Sequence, residues 1–358
     1  MRDYLFAFFL AAAITVILTP IAIKLAPKIG AMDVPKDGRR MHDHPVPRFG
    51  GLGIFIGMLV AILICVPRTE GLLGAAQVKG FLAGAAVIVI VGIIDDLKGL
   101  SPKQKLIGQV LAAIVPCMFS VRIFAISNFF GEGYFEFPDW FSIIVTIIWI
   151  VGIINTINLI DGLDGLAAGV SLISCIAVAY TSYLAGRPET CELVLAIAGA
   201  AFGFLLFNFH PAKIFMGDAG SMLLGYCLAT MSLIGVSSTK GTVLFVSLIP
   251  IIILALPIFD TAFAIVRRVA NHKPITVGDK GHLHHRIMAL GIGQRRAVIA
   301  LYCISAIMGV AGILWTMRMR IQAIVLAVIG ATLIWVFLGV DPSKPEKTEL
   351  ETDEETKE

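Results

Sequence analysis

The sequence has 358 residues, of which 58% are hydrophobic and only 15% charged, and its mean hydropathy is +0.90. Those values exclude an ordinary soluble domain, which would need a core that is hydrophobic on every helix face. The net charge of +3 says little in itself, but its distribution along the chain says more.

Along the chain, apolar runs recur at about 4–26, 50–67, 79–94, 104–119, 141–160, 165–184, 193–209, 219–236, 244–265, 297–315 and 321–339. Each is long enough to cross a hydrocarbon core of ~30 Å as a helix. The predicted fold is an all-α polytopic integral membrane protein of about eleven transmembrane helices, forming one domain over 1–340. The first run lacks a small-residue cleavage site and is expected to be retained as a span. Residues 341–358, DPSKPEKTELETDEETKE, are acidic and nearly devoid of apolar side chains, as expected of a disordered, solvated tail. The six Cys are scattered without metal-ligand spacing and read as apolar packing residues.

The basic residues separate by loop. One alternate set of connections holds 17 of the 28 Lys and Arg, the other holds eight, and the tail holds three. The positive-inside rule makes the first set cytoplasmic, with the N-terminus outside and the C-terminus inside. All seven His and ten of the Asp fall on that same side.

Five cytoplasmic connections carry polar residues of particular types at helix ends. The first is the basic, Pro-rich "RRMHDHPVPRFGG" at 39–51, which contains Arg48. The second is "DDLKGL" at 95–100, where Asp95 and Asp96 leave an apolar helix. Burying either without a partner would cost several kcal/mol, although a carboxylate pair snorkelling to water is an equally good account of that motif alone. The third is "NTINLIDGLDGLA" at 155–167, in which Asn155, Asn158 and Asp161 share one helix flank. Gly162 and Gly165 then permit a tight turn into a helix whose N-terminus can face an anion.

The fourth connection is "FNFHPAKIFMGDAGS" at 207–221, with Lys213 as a cation and Asp218 at a helix start, able to cap that helix or to hold a metal ion. The fifth contains "GDKGHLHHR" at 278–286. Its His282, His284 and His285 suggest zinc at first, but with no Cys nearby and Arg286 adjacent, anion binding is the better reading. Few carboxylates beside many cations suit Mg²⁺, which is held by one or two protein oxygens and completed by substrate phosphates. Such a set suits phosphoryl transfer between a polar phosphorylated substrate and a lipidic acceptor.

The motifs "DDLKGLSPKQKL", "NTINLIDGLDGLA", "NFHPAKIFMGDAGS" and "GHLHHR", in this order, resemble the polyprenyl-phosphate hexose-1-phosphate transferases over about residues 15–335. "HLHHR" followed by "LGIGQRRAV" is similar to the branch that uses UDP-N-acetylglucosamine and begins teichoic acid, O-antigen and related polymers. The branch using UDP-muramoyl-pentapeptide ranks second, since the first loop reads "HPVPRFGG" rather than "TPTMGG".

The resemblance implies a Mg²⁺-dependent plasma-membrane enzyme, with Mn²⁺ able to substitute, that transfers GlcNAc-1-phosphate from UDP-GlcNAc to undecaprenyl phosphate. Asp218 and Asn158 match metal ligands, while Asp161 and Asp164 match positions near the nucleotide. His282, His284, His285 and Arg286 match the loop gripping the pyrophosphate, with His282 the catalytic candidate. Arg48, Asn155 and Lys213 join the substrate-binding set, with Asn155 more suited to orienting its neighbours. Asp95 and Asp96 match the pair assigned to the acceptor phosphate. A phosphate monoester with a second pKa near ~6 is largely dianionic at neutral pH, so the pair need not act as a base.

The implied partners are the UDP-sugar, the lipid phosphate and the bilayer, with no nucleic acid; a homodimer is compatible with them. Asp260, seven residues before Arg267 and so ~10 Å below it along a helix, is expected to face the same cleft. A purely structural partner, such as a neighbouring Asn, accounts for it equally well. A transporter is the rival class, but transporters put coupling carboxylates near the midplane of related halves. Here they gather at helix ends, and no repeat is visible. Residues 120–140, with "FFGEGYFEFPDW", are expected to form a small hairpin at the membrane surface.

Overall fold

The computed structural model describes residues 2–34, 44–65, 76–127, 134–234, 248–272 and 281–340. The acidic tail, residues 39–43 of the first basic loop and residues 278–280 of the His loop lie outside them. The described helices are α1 (Arg2–Ile29), α2 (Gly50–Cys65), α3 (Ala76–Lys98), α4 (Pro102–Met118), α5 (Asp139–Ile160), α6 (Leu166–Leu184) and α7 (Pro188–Asn208). They continue with α8 (Gly217–Ile234), α9 (Leu248–Ile253), α10 (Ala255–Ala270), α11 (Leu283–Met288), α12 (Gln294–Thr316) and α13 (Arg320–Gly339).

Within the described residues, every apolar run but the ninth coincides with a single helix. Seven of these helices are long and apolar enough to cross a membrane: α1 from Tyr4 onward, α3, α5, α6, α7, α12 and α13. The outer faces are apolar too, with Ile17, Ile148, Ile321 and Trp335 all more than 60% exposed, a surface suited to lipid. The chain is a multi-pass α-helical membrane protein.

The ninth run, expected as one helix over 244–265, is described from Leu248 onward and is there two helices broken at Leu254. Pro257 lacks the N–H that would bond the carbonyl of Ile253, so the ladder is interrupted there. Bonds resume on either side, from Leu254 N to Pro250 O at 2.9 Å and from Ile258 N to Leu254 O at 3.1 Å.

α8 is the axis of the bundle. Every residue from Ala219 to Ile234 is buried, and the helix packs against α2, α3, α5, α6 and α7. Glycines permit that crowding: a Cβ on Gly51 would lie 2.2 Å from Gly220 N, and one on Gly92 would lie 2.3 Å from Ala219 Cα. Both contacts fall at the N-terminal end of α8, so the backbone around Asp218 is gripped by α2 and α3.

Two small antiparallel pairs complete the fold. β1 (Met32–Asp33) pairs with β2 (Val46–Pro47), and the chain continues from β2 into a bridge between Arg48 and Phe215. β3 (Ala125–Ser127) pairs with β4 (Tyr134–Glu136) with Ile126 opposite Phe135, which gives the expected hairpin its paired arms; its turn lies outside the described residues. The six cysteines are free and five of them are buried, in keeping with a packing role.

Candidate functional site

The polar helix ends converge at one end of the bundle. The N-terminus of α8 places Asp218, and Gly217 before it has φ +69°, where a side chain would be strained and would meet Asp96 at 2.5 Å. Asp96, its side chain fully buried at the end of α3, accepts hydrogen bonds from Asp218 N (2.8 Å) and Ala219 N (3.0 Å). Its neighbour Asp95 accepts from Leu100 N at 2.7 Å and pairs with Lys105 Nζ at 3.1 Å.

The carboxylate of Asp218 sits among three partners. Asn158 Nδ2 donates to it at 2.7 Å and to Ser221 Oγ at 2.8 Å. Lys105 and Arg48 each form an ion pair with its carboxylate, and Lys105 also reaches Asn158 Oδ1 at 3.2 Å. Arg48 bonds Asp96 through Nε at 3.0 Å. Its backbone is fixed by Arg48 N to Ala31 O (2.9 Å) and by the strand ladder onto Phe215. Burial would lower the pKa of this guanidinium, but Asp218 and Asp96 hold it above its ordinary value.

Asn155 is held one turn below Asn158, its Nδ2 donating to Gln109 Oε1 (2.7 Å) and to Val151 O (2.8 Å). That is an orienting arrangement. Asp161 caps the C-terminus of α5, where burial, then the neighbouring Asp218, push its carboxyl up to about 7 while Arg48 opposes them. Asp164 accepts from Ala212 N at 3.1 Å and from His210 Nδ1 at 2.8 Å. Gly165 opens α6 with φ +77°, its N–H bonded to Asn208 Oδ1 at 3.1 Å and its carbonyl to Tyr302 Oη at 2.5 Å.

These groups frame a cavity of about 350 Å³ lined in part by Arg48, Asn158, Asp161, Asp164, Asp218 and His285. Asp33, Asn208 and Gln294 also line it. The remaining residues singled out in the sequence are not among those lining it. Lys213 is exposed, its backbone N bonded to Phe207 O at 2.8 Å. His282 and His284 are buried behind His285. His284 lies against Gly162, and burial, then His285, push its imidazole down to about 3, so it is neutral. Arg286 is buried and donates to the carbonyls of Gly281 (2.8 Å), Leu338 (2.5 Å) and Val340 (2.6 Å), which ties the His loop to the end of α13. Asp260 has His282, not an Asn, as its partner.

Sequence reasoning missed Lys105, Gln109, Ser221, Asn208 and His210 as members of this network. Lys105 stood inside "DDLKGLSPKQKL", on the first turn of a helix capped by Ser101, which was the available signal. Among the described residues no three His, Cys, Asp or Glu side chains converge as a metal-ligand set. The hard oxygens of Asp218 and Asn158 nevertheless fit Mg²⁺, which needs few protein ligands when phosphates complete its shell.

The profile of "Glycosyl transferase family 4" matches residues 78–236. The "Probable undecaprenyl-phosphate N-acetylglucosaminyl 1-phosphate transferase" of Bacillus subtilis is 42% identical over 307 residues, covering 86% of this chain and 83% of its own. The "Decaprenyl-phosphate N-acetylglucosaminephosphotransferase" of Mycolicibacterium smegmatis is 35% identical over 317 residues, covering 82% and 77%. The "Phospho-N-acetylmuramoyl-pentapeptide-transferase" of Moorella thermoacetica is 29% identical over 322 residues, covering 85% and 96%. At these identities over most of its length, the chain belongs to glycosyl transferase family 4.

Proposed function

We propose that the protein transfers GlcNAc-1-phosphate from UDP-GlcNAc to undecaprenyl phosphate, giving undecaprenyl-diphospho-GlcNAc and UMP, the first membrane step of a cell-surface polymer. The observation that carries this reading is the arrangement of Asp218, Asn158 and Arg48 at a polar cavity in an otherwise apolar bundle, with Lys105 bonded to Asp218 and Asn158 beside it. The 42% identity to a protein named for this activity supports the choice of substrates, over the 29% to the pentapeptide enzyme. The loop-charge asymmetry supports eleven spans with the cavity at the cytoplasmic face, the N-terminus outside and the C-terminus inside.

In the reaction an oxygen of the lipid phosphate attacks the sugar-bearing phosphorus of the donor. The bond to the bridging oxygen breaks and its electron pair leaves with UMP. Mg²⁺, held by Asp218 and Asn158, would offset charge on the diphosphate. Arg48 and Lys105 supply fixed positive charge beside the transferring group, where water is partly excluded and electrostatic stabilisation is strongest. Asp96 and Asp95 anchor those cations and the start of α8 rather than acting as bases. A dianionic acceptor needs no base, and Asp96 already serves Arg48 and two backbone N–H groups. Asp161 and Asp164 line the same cavity, where they would face the donor.

The test is UMP release in detergent from undecaprenyl phosphate and either UDP-GlcNAc or UDP-muramoyl-pentapeptide, with Mg²⁺, Mn²⁺ or EDTA, alongside Asp218→Asn. Release with UDP-GlcNAc alone, abolished by EDTA and sharply reduced by the substitution, is expected. Release only with the peptide donor would move the protein to the other branch. No release with either from folded protein would defeat the transferase reading.

A further inference from the structure

Asp260 is buried in α10, outside the cavity wall, and the reaction above gives it no part. A buried carboxylate must be compensated, so its partners show what it is for. Oδ2 meets His282 Nδ1 at 3.0 Å, and Oδ1 accepts from Leu283 N at 2.7 Å. The first bond sets the proton of His282 on Nδ1 and fixes the ring. The second satisfies the first N–H of α11, whose own N-cap residue makes no side-chain cap bond.

α11 has only six residues, too few to persist without outside support. Its support comes from Asp260 at one end and from Arg286, which reaches Leu338 O and Val340 O, at the other. Between them the imidazoles are layered. His282 and His284 stack with centroids 5.8 Å apart and planes within 3°, and His284 and His285 lie 4.3 Å apart. His284 rests on Gly162, and His285 lines the cavity with Asp161, Asp164 and Asp218.

We propose that Asp260 is a positioning residue for the donor: by fixing His282 and the start of α11, it sets His285, through His284, on the wall that receives the donor diphosphate. This rests on the transferase reading above. Asp260 touches no substrate, and its effect reaches the cavity only through the imidazole layers. Losing it would let α11 shift, and displacements of about 1 Å at a binding group can cost up to about a hundredfold.

The experiment is steady-state kinetics of UMP release with each substrate varied in turn, for wild type, Asp260→Asn, His282→Gln and the double variant. The expected result for Asp260→Asn is a donor KM raised about tenfold, with the acceptor KM within about twofold of wild type. His282→Gln should raise the donor KM similarly, and the double variant should be no worse than the poorer single, because both act through one path. A purely structural aspartate would lower the yield of folded enzyme and leave both KM values alone. That outcome, equal changes in both KM values, or an additive double variant would overturn the proposal. If Asp260→Asn does not fold, Asp260→Glu, which keeps the charge and moves it by one methylene, decides on the same readout. Folded wild type that releases UMP with neither donor would sink the transferase reading itself, whereas active wild type with an unaltered Asp260 variant sinks only this inference.

Discussion

Asp96 at the end of α3 caps α8: its carboxylate accepts from Asp218 N at 2.8 Å and Ala219 N at 3.0 Å, across 122 positions of sequence. The capping oxygen also meets Arg48 Nε, so one buried group fixes a helix start and a cation. Asp96→Ala therefore removes a cap worth about 0.5–2 kcal/mol and unpairs Arg48 from one partner. The expected result is a lower unfolding midpoint in detergent together with a fall in kcat. Asp96→Asn keeps one acceptor oxygen but turns an amide N–H toward a backbone donor, so it should be intermediate in stability. An unchanged midpoint for Asp96→Ala would argue against the capping role.

Lys105 links Asp95, Asn158 and Asp218. Lys105→Met retains most of the stem and removes the charge, leaving two mostly buried carboxylates with one cation fewer. By analogy with the loss of one electrostatic donor in other active sites, kcat should fall about 10²–10³-fold. Lys105→Arg should recover only part of this, because a planar guanidinium cannot reproduce a compact ammonium at three acceptors. Turnover within about twofold of wild type for Lys105→Met would remove Lys105 from the machinery.

Much of the site was legible because its residues come in local groups. Asn155, Asn158 and Asp161 share a helix flank by spacing alone, and Asp218 follows a glycine at a helix start. Partnerships across the bundle were not legible: nothing local to Lys105 says that it meets a residue 113 positions away. The burial of α8 was hidden because a helix enclosed by protein and one facing lipid are both apolar throughout. The break at Leu254 was written in Pro250 and Pro257, but continuous hydrophobicity masked it. Arg286 is the instructive case. Its place in "HLHHR" suggested an anion, while the structure spends its donors on carbonyls at the end of α13.

Gly162 matters for what it lacks. A Cβ there would lie 2.7 Å from His284 Nε2, closer than atoms can approach without movement. Gly162→Ala should displace His284 and, with it, His285 from the cavity wall. A raised donor KM with an unchanged acceptor KM is expected, the same signature as for Asp260 variants. Gly152, where a Cβ meets nothing within 4 Å, supplies the control: Gly152→Ala should be kinetically silent. If Gly162→Ala is equally silent, the imidazole layer does not position the donor.

The neutral state of His284 carries a pH dependence whose sign can be worked out. Burial, then His285, hold its pKa near about 3, against 6.5 for the unfolded chain. Between those values the unfolded state binds the extra proton, so stability attached to this group is complete above about 6.5 and is lost as pH falls toward 3. His284→Gln, which cannot take up a proton, should flatten that fall. The check is the unfolding midpoint of both proteins from pH 7.5 to 5, since the difference between them cancels every other titrating group. Wild type should lose stability relative to the variant below about pH 6.5, by no more than about 1.4 kcal/mol per pH unit. Parallel curves would mean that His284 takes up its proton as easily in the folded protein as in the unfolded chain, and that the layer behind His285 is open to water.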